Sequence, residues 1–338
     1  MSTEDTSTSP LSISHLSTSP DHPLSSWPSI PPSPRGRSVL LTPSIVSSAS
    51  ENIITGQRFA LDWPVYPSVI PLYGRMKAEH TVKRVDPRPS KSKDEAEEKG
   101  EIWQPCFDDF VHINTQGTTQ WDYFLHFSYP HSGLFYGGLT AQEILDEKTG
   151  EIGVAAIAKA GGIQTRGILV DLPLFLSETG QEPHDPLKDR VEFTTLLSAL
   201  EHFKLDPQVG DVLLLRLGFE DAILQDIERV AAGHETRLKG KWSGMIASHQ
   251  LAKWIWSKGI IAVATDNPTF EEWPAPDRNM SMHPILLSGM GIMIGELLRL
   301  KSLAEECKKQ DRWSFWFTSC PLMIEHGVAS PPNAVAIL

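Results

Sequence analysis

The stretch His112-Ile-Asn-Thr-Gln-Gly-Thr-Thr-Gln-Trp-Asp-Tyr-Phe-Leu-His126 alternates polar with apolar side chains over much of its length. His112, Asn114, Gln116, Thr118, Gln120 and Asp122 fall on even positions, and Val111, Ile113, Trp121 and Tyr123 on odd ones. A period of two predicts a strand with one face on a core and the other lined by groups able to ligate or hydrogen-bond. Residues four apart on a straight strand are separated by roughly 13 Å, too far for Gln116 and Gln120 to reach one ion. The strand is therefore expected to bend at Gly117 between them. Asp122 and His126 are also four apart, and a helical turn there would bring carboxylate and imidazole to one face.

Outward from this stretch, helices and strands alternate. Thr42-Pro43 predicts a helix N-cap with proline at N1, in a helix ending near Gly56. Residues 140–150 combine an N-cap, Glu143 at N3 and a terminal glycine, the pattern of a capping-box helix. Residues 166–173, 211–217 and 260–265 read as buried strands, the last ending at Asp266. Residues 243–259 read as a helix with Ala247, Leu251, Trp254 and Ile255 on its core face. This mixed order implies an α/β fold. Residues 1–38 are dominated by Ser, Thr and Pro, so they are expected to be a disordered tail ahead of one folded domain over residues 39–338. Residues 83–101 interleave Lys, Asp and Glu around Pro87 and Pro89 and are expected to be a solvated loop.

Composition bounds the function classes. A net charge of -12 gives no basic footprint for nucleic acid or an anionic membrane. The best apolar stretch, residues 284–298, carries Ser288, three glycines and Glu296, and falls short of the ~20 apolar residues a membrane span needs. Cys106, Cys307 and Cys320 are odd in number and lack Cys-x-x-Cys spacing. A disulfide framework and a thiolate zinc site are thus both disfavoured, and a reducing, cytoplasmic compartment is expected. Gly289-Met-Gly291-Ile-Met-Ile-Gly295 is one residue too long for a dinucleotide loop, so tight packing explains it better. No nucleophile elbow, His-Glu-x-x-His or phosphate-cradling loop occurs.

The pattern Gln116-x3-Gln120-x-Asp122-x3-His126 resembles the signature of the putative cyclase family, which includes metal-dependent arylformamidases (kynurenine formamidases) and isatin hydrolase. In that family the run is His-x3-His-x-Asp-x3-His, and this chain is similar to a branch, common in fungi, with glutamine at the first two positions. The resemblance continues through Arg166-Gly-Ile-Leu-Val-Asp171, Gly210-Asp-Val-Leu-Leu-Leu-Arg216, Thr265-Asp-Asn-Pro-Thr-Phe-Glu271, the region of His283 to Glu296, and Gly327-Val-Ala-Ser-Pro-Pro-Asn-Ala334. It covers about residues 38–338, and several ordered blocks are more specific than one motif. The resemblance implies the swivelling β/β/α architecture, a mixed sheet flanked by helices, in a homodimer or tetramer. It implies that Gln116, Gln120 and Asp122 stand where a divalent metal (Mn or Zn) is held, that His283 and Glu296 complete a second metal position, and that His126 is the catalytic acid/base.

The implied activity is metal-assisted hydrolysis of an amide, formamide or lactone in a small molecule, as in arylformamidases of tryptophan catabolism to kynurenine. The alternative is a ring-forming cyclase or isomerase of secondary metabolism that uses the same histidine, with or without metal. A non-catalytic binding module ranks last, since Asp122, His126, His283 and Glu296 are all present. Taken without the resemblance, His126 would be a core histidine, Asp122 a turn cap, and His283 and Glu296 ordinary surface residues. Trp121 and Tyr123 are candidates to line an aromatic substrate pocket, with core burial as the plainer alternative. His112 and His131 are further pocket candidates without an assigned role. Asp266, before Asn267-Pro268, fits an Asx-turn. Glutamine offers a neutral oxygen, weaker for zinc than imidazole and better suited to harder ions.

Overall fold

The computed structural model describes residues 11–27, 29–65, 72–85, 90–277 and 280–338. Its strands are β1 (Arg58–Ala60), β2 (Glu79–Arg84), β3 (Phe107–His112), β4 (Gln120–Asp122), β5 (Ile163–Asp171), β6 (Arg190–Val191) and β7 (Val212–Arg216). They continue as β8 (Gly244–Met245), β9 (Ala262–Thr265), β10 (Met293–Glu296), β11 (Ser314–Ser319), β12 (Ala329–Ser330) and β13 (Ala334–Ile337). The chain divides into two compact units, Met1–Trp63 with Thr119–Leu338, and Pro64–Thr118. The sequence had suggested one domain over residues 39–338.

The larger unit is built on a nine-stranded mixed sheet in the order β1-β13-β11-β5-β7-β9-β10-β4-β12. Strands β5, β7, β9 and β10 run parallel at its centre. β7 and β9 are apolar almost throughout and buried, as strands covered on both faces must be. Helices Leu172–Glu178, Phe193–His202, Phe219–Ala231, His249–Ser257 and Lys301–Gln310 supply the cover. In His249–Ser257 the buried residues are Leu251, Ala252, Ile255 and Trp256, at helical spacing. The α/β class, with a mixed sheet flanked by helices, agrees with the sequence reading.

Several local expectations shift. The helix from Thr42 is Pro43–Ala49, followed by a short 3-10 turn, Ser50–Asn52. The capping box at Thr140 and Glu143 is present, but its helix spans only Ala141–Leu145. Residues 243–259 split into β8 and a helix that starts after the Ser248 N-cap. Asp266 is not an Asx-turn residue: its carboxylate accepts the backbone N–H groups of Leu217 (2.6 Å) and Gly218 (2.9 Å), ahead of helix Phe219–Ala231. The glycine-rich 289–295 run is tight packing, as expected. A Cβ on Gly295 would lie 2.7 Å from the Trp121 ring and 2.9 Å from Ala264 Cβ.

The Ser/Thr/Pro-rich start corrects the composition argument most clearly. Residues 11–27 and 29–38 pack on the larger unit, with Leu16, Leu24 and Trp27 buried. Three apolar anchors and a run of backbone hydrogen bonds suffice to order a segment whose average composition looks disordered. The part of the tail expectation that covers residues 1–10 and 28 lies outside the described residues.

In the smaller unit, β2 and β3 form an exposed antiparallel ribbon, Glu79 opposite His112. Within residues 83–101, expected as a loop, Lys93–Glu98 is a helix capped by Ser92 and braced by Lys99 against Glu95 at 2.6 Å. The strand predicted through residues 112–122 is interrupted. β3 ends at His112, the Gly117 N–H donates to the Asn114 carbonyl in a turn (2.9 Å), and β4 begins at Gln120.

Burial raises the Asp266 pKa to about 6, against the hydrogen bonds from Leu217 and Gly218 and the charge of Arg216. An unfolded aspartate titrates near ~3.9, so the folded state holds the extra proton between these values. Stability from this group is full below about pH 4 and lost as the pH rises through about 6. Relative to wild type, Asp266→Asn should be most destabilised at pH 4 and less so at pH 7, read from urea midpoints at both pH values. An equal deficit at both would mean the carboxyl titrates normally.

Candidate active site

The site is assembled where β4 pairs antiparallel with β10, Gln120 opposite Glu296 and Asp122 opposite Ile294. Alternation along β4 and direct pairing across to β10 put Gln120, Asp122 and Glu296 on one face of the sheet. His283, directly ahead of the π-helical segment Pro284–Met290, completes the group. Its Nε2 lies 3.2 Å from Glu296 Oε1 and 3.7 Å from Asp122 Oδ2. Gln120 Nε2 donates to Glu296 Oε2 at 2.6 Å and stands 3.4 Å from both Asp122 oxygens. One potential ligand atom from each of Asp122, His283 and Glu296 lies within 4.8 Å of the others, and all three residues are buried.

Sequence reasoning missed Glu271. This fully buried carboxylate receives His283 Nδ1 at 2.7 Å and the His283 backbone N–H at 3.1 Å, and the Ser281 hydroxyl donates to it as well. Burial alone would raise its pKa, but the His283 charge and these hydrogen bonds hold it below the usual glutamate value. Burial likewise pulls the His283 pKa down, and the charge of Glu271 with hydrogen bonds to Asp122, Glu271 and Glu296 outweighs it, leaving the pKa well above the usual imidazole value. The available signal was its position as the last residue of the Thr265–Glu271 block, but a lone glutamate beside Glu272 resembles a surface residue.

His126 follows β4 in a single turn, its backbone N–H donating to the Tyr123 carbonyl at 2.9 Å. Its Nε2 is 3.8 Å from Asp122 Oδ2, and its side chain is 23% exposed against 7% for His283. The four-residue spacing thus does join Asp122 to His126, through a turn and not a helix. Phe127 packs against both imidazoles, its ring centroid 5.9 Å from that of His126 and 5.4 Å from that of His283.

Trp121 and Tyr123, expected as substrate contacts, are sealed in the core at 0% exposure. They occupy the other face of the alternation, where Trp121 Nε1 donates to Ser319 Oγ (2.9 Å) and Tyr123 Oη to the Pro34 carbonyl (2.5 Å). His112 and His131 are exposed. Gln116 belongs to the smaller unit, where its carbonyl accepts from Arg75 Nη1 at 2.7 Å and its N–H donates to Asn114 Oδ1. The ligand role expected of Gln116 rests on the spacing pattern.

The donor set suits one divalent cation. Three carboxylates, Asp122, Glu271 and Glu296, surround one imidazole in the interior, and buried carboxylates in excess over cations call for a compensating charge. Glu271 fixes the His283 ring and leaves Nε2 facing Asp122 and Glu296, the carboxylate–histidine arrangement that serves metal ligation. Rotating the Gln120 amide by half a turn would present its oxygen in place of Nε2. Glu271→Gln should therefore lower Mn2+ or Zn2+ affinity by about 10- to 100-fold with the fold retained. Calorimetric titration checks this, and unchanged affinity would separate Glu271 from the ligand set.

Comparison with known proteins bears on the family and the fold. A family model described as "Putative cyclase" matches residues 35–272, a span that includes Asp122, His126 and Glu271. A crystal structure described as a novel cyclase superposes with a TM-score of 0.73 at 25% identity, covering 90% of this chain and 96% of its own. Isatin hydrolase A from Labrenzia aggregata, bound to benzyl benzoate, gives a TM-score of 0.53 at 14% identity, covering 87% of this chain and 97% of its own. The enzyme of that name from Ralstonia solanacearum gives 0.53 at 13%, covering 88% and 98%. At such identities the two hydrolases share the fold. No curated protein matches the chain. With more than two thirds of its length matched, the chain belongs to the family of putative cyclases.

Proposed function

We propose that this protein is a hydrolase that adds water to the carbonyl of a small amide, formamide or lactone, with arylformamidase-type substrates such as N-formylkynurenine foremost. The observation that carries this reading is an accessible imidazole, His126, 3.8 Å from a buried carboxylate that itself belongs to a cluster fit for a cation. Likeness in fold to two isatin hydrolases supports it. The expected dimer or tetramer and the cytoplasmic setting belong to the same reading. Among the described residues, no helix is long and apolar enough to cross a membrane.

A divalent cation bound by Asp122, His283 and Glu296 would supply Lewis-acid polarisation of the substrate carbonyl. The chain's own residues do the rest. His126, partly open to solvent, takes a proton from the attacking water and returns it to the leaving nitrogen or oxygen. Asp122 faces His126 Nε2 and favours its protonated form during that transfer. Glu271 holds the His283 ring in one orientation. Phe127, against both imidazoles, limits water around them.

The test is turnover of N-formylkynurenine and small aryl lactones by purified protein, with and without Mn2+ or Zn2+. His126→Ala should lower kcat by about 10²- to 10⁴-fold. Full activity in that variant would remove His126 from the mechanism, and metal-independent silence across the panel would count against hydrolysis. One observation favours a second reading. Gln120 Nε2 donates to Glu296 and stands between it and Asp122, a neutral donor in place of a charged ligand, which favours ring closure driven by the His126 acid/base. Oxygen-18 from solvent separates the two, since hydrolysis incorporates it and ring closure need not.

Gln120 also offers a direct probe of the metal. Gln120→His should add an imidazole on the face that carries Asp122 and Glu296 and raise Zn2+ affinity at least tenfold, the gain fading as falling pH protonates the ring. Calorimetry on wild type and variant reads this directly. Equal affinity would mean that position 120 lies out of the ion's reach.

A further inference from the structure

Residues 11–27 and 29–34 precede the span matched by the family model, yet they are tied to the scaffold of both site histidines. We propose that this segment is a strap that positions His126 and His283, with Trp27 as the positioning residue through which it acts. The proposal rests on the reading of these two histidines as the working groups of the site.

The ties converge on two short stretches. The Trp27 indole, buried, donates Nε1–H to the Ser288 carbonyl at 2.8 Å. The Ser26 backbone N–H donates to the Gly289 carbonyl at 2.8 Å, and its hydroxyl does so at 3.1 Å. Both acceptors lie in the π-helical segment that directly follows His283. Ser288 then passes the constraint on, because its hydroxyl donates to the carbonyls of Phe127 (2.5 Å) and Phe124 (3.3 Å) in the turn that bears His126. That turn is also held directly. Tyr123 and Tyr129, three residues before and after His126, donate their phenol hydroxyls to the strap carbonyls of Pro34 (2.5 Å) and Pro23 (2.8 Å).

At Gly289 the Tyr129 hydroxyl leaves no room for a side chain, and the strap backbone at Ser25 lies in ordinary contact beside it. A Cβ on Gly289 would lie 2.1 Å from Tyr129 Oη and 3.4 Å from Ser25 Cα. A buried indole N–H and two buried phenols are expensive to leave unpartnered, so the strap's carbonyls and donors fix where these groups sit. A π-helical turn is an irregular element with poorer internal hydrogen bonding than an α-helix, and outside partners determine its shape. Loss of the strap would thus free both histidines without touching either.

The test compares Trp27→Ala, Trp27→Phe and Tyr129→Phe in the full chain by amide hydrogen exchange. Trp27→Ala should speed exchange at least tenfold in residues 120–130 and 281–291, with β5 and β7 unchanged. Trp27→Phe keeps a buried ring and loses the N–H, and should give a smaller rise in the same places. Tyr129→Phe keeps the ring volume and should loosen residues 120–130 alone. Where wild type turns over a substrate, Trp27→Phe should lower kcat severalfold with KM within twofold. A rise confined to residues 11–34, or one shared equally by β5 and β7, overturns the proposal, and the two conservative variants decide it if Trp27→Ala does not fold. Wild type inactive on every substrate, with the exchange pattern as stated, sinks the hydrolase reading and leaves the strap. Unchanged exchange in an active enzyme sinks the strap alone.

Discussion

Everything at the site depends on the antiparallel pairing of β4 with β10, because that ladder forces carboxylates together in an interior that does not favour them. Gln120 and Asp122 project from one strand and Glu296 from the next, all on one face, with no backbone freedom to spread apart. Two buried carboxylates a few ångströms apart repel strongly at low dielectric, and such a pair persists only if hydrogen-bond donors and positive charge are supplied locally. The chain supplies the Gln120 amide and the His283 imidazole. Glu271 in turn anchors that imidazole from behind, and Ser281 anchors Glu271. The result is a buried polar chain running from the sheet face through His283 and Glu271 to Ser281, each member held by the next.

The same alternation explains what lies beneath. Trp121 and Tyr123 face away from the cluster and are the buried counterweight that keeps β4 in register. Trp121 packs edge-to-face on Phe317, with ring centroids 6.3 Å apart, and Tyr123 stacks on Phe124 at 4.1 Å. A strand of three residues has few backbone hydrogen bonds to hold it. Large aromatic side chains on its inner face make up the difference through buried area and ring contact. Reactive groups on one face thus draw their precision from inert groups on the other.

How far the sequence reveals this arrangement depends on the range of each interaction. Gln120, Asp122 and His126 were legible because their relation is local, set by strand alternation and one turn. The aromatic pair was legible as a pair on the opposite face, but periodicity alone does not say which face is wet. Glu271 was hidden because its partner, His283, is twelve residues away with no regular spacing between them to bring the two together. His283 and Glu296 became visible only through resemblance to a family, since spacing cannot bring them to Asp122. Asp266 looked like a turn residue because its real partners, Leu217 and Gly218, are distant in sequence. The N-terminal stretch was misread for another reason. Averages over Ser, Thr and Pro conceal Leu16, Leu24 and Trp27, and a few well-placed anchors decide order where a mean cannot.

Gly295 sits in β10 beside Glu296, with the Trp121 ring on one side and the Ala264 methyl on the other, and no space for even one added carbon. The strand that carries Glu296 is therefore laterally locked, a fixed wall of the site. A different side chain at position 120, on the strand paired with it, would change the donor that faces Glu296 while this wall stays where it is.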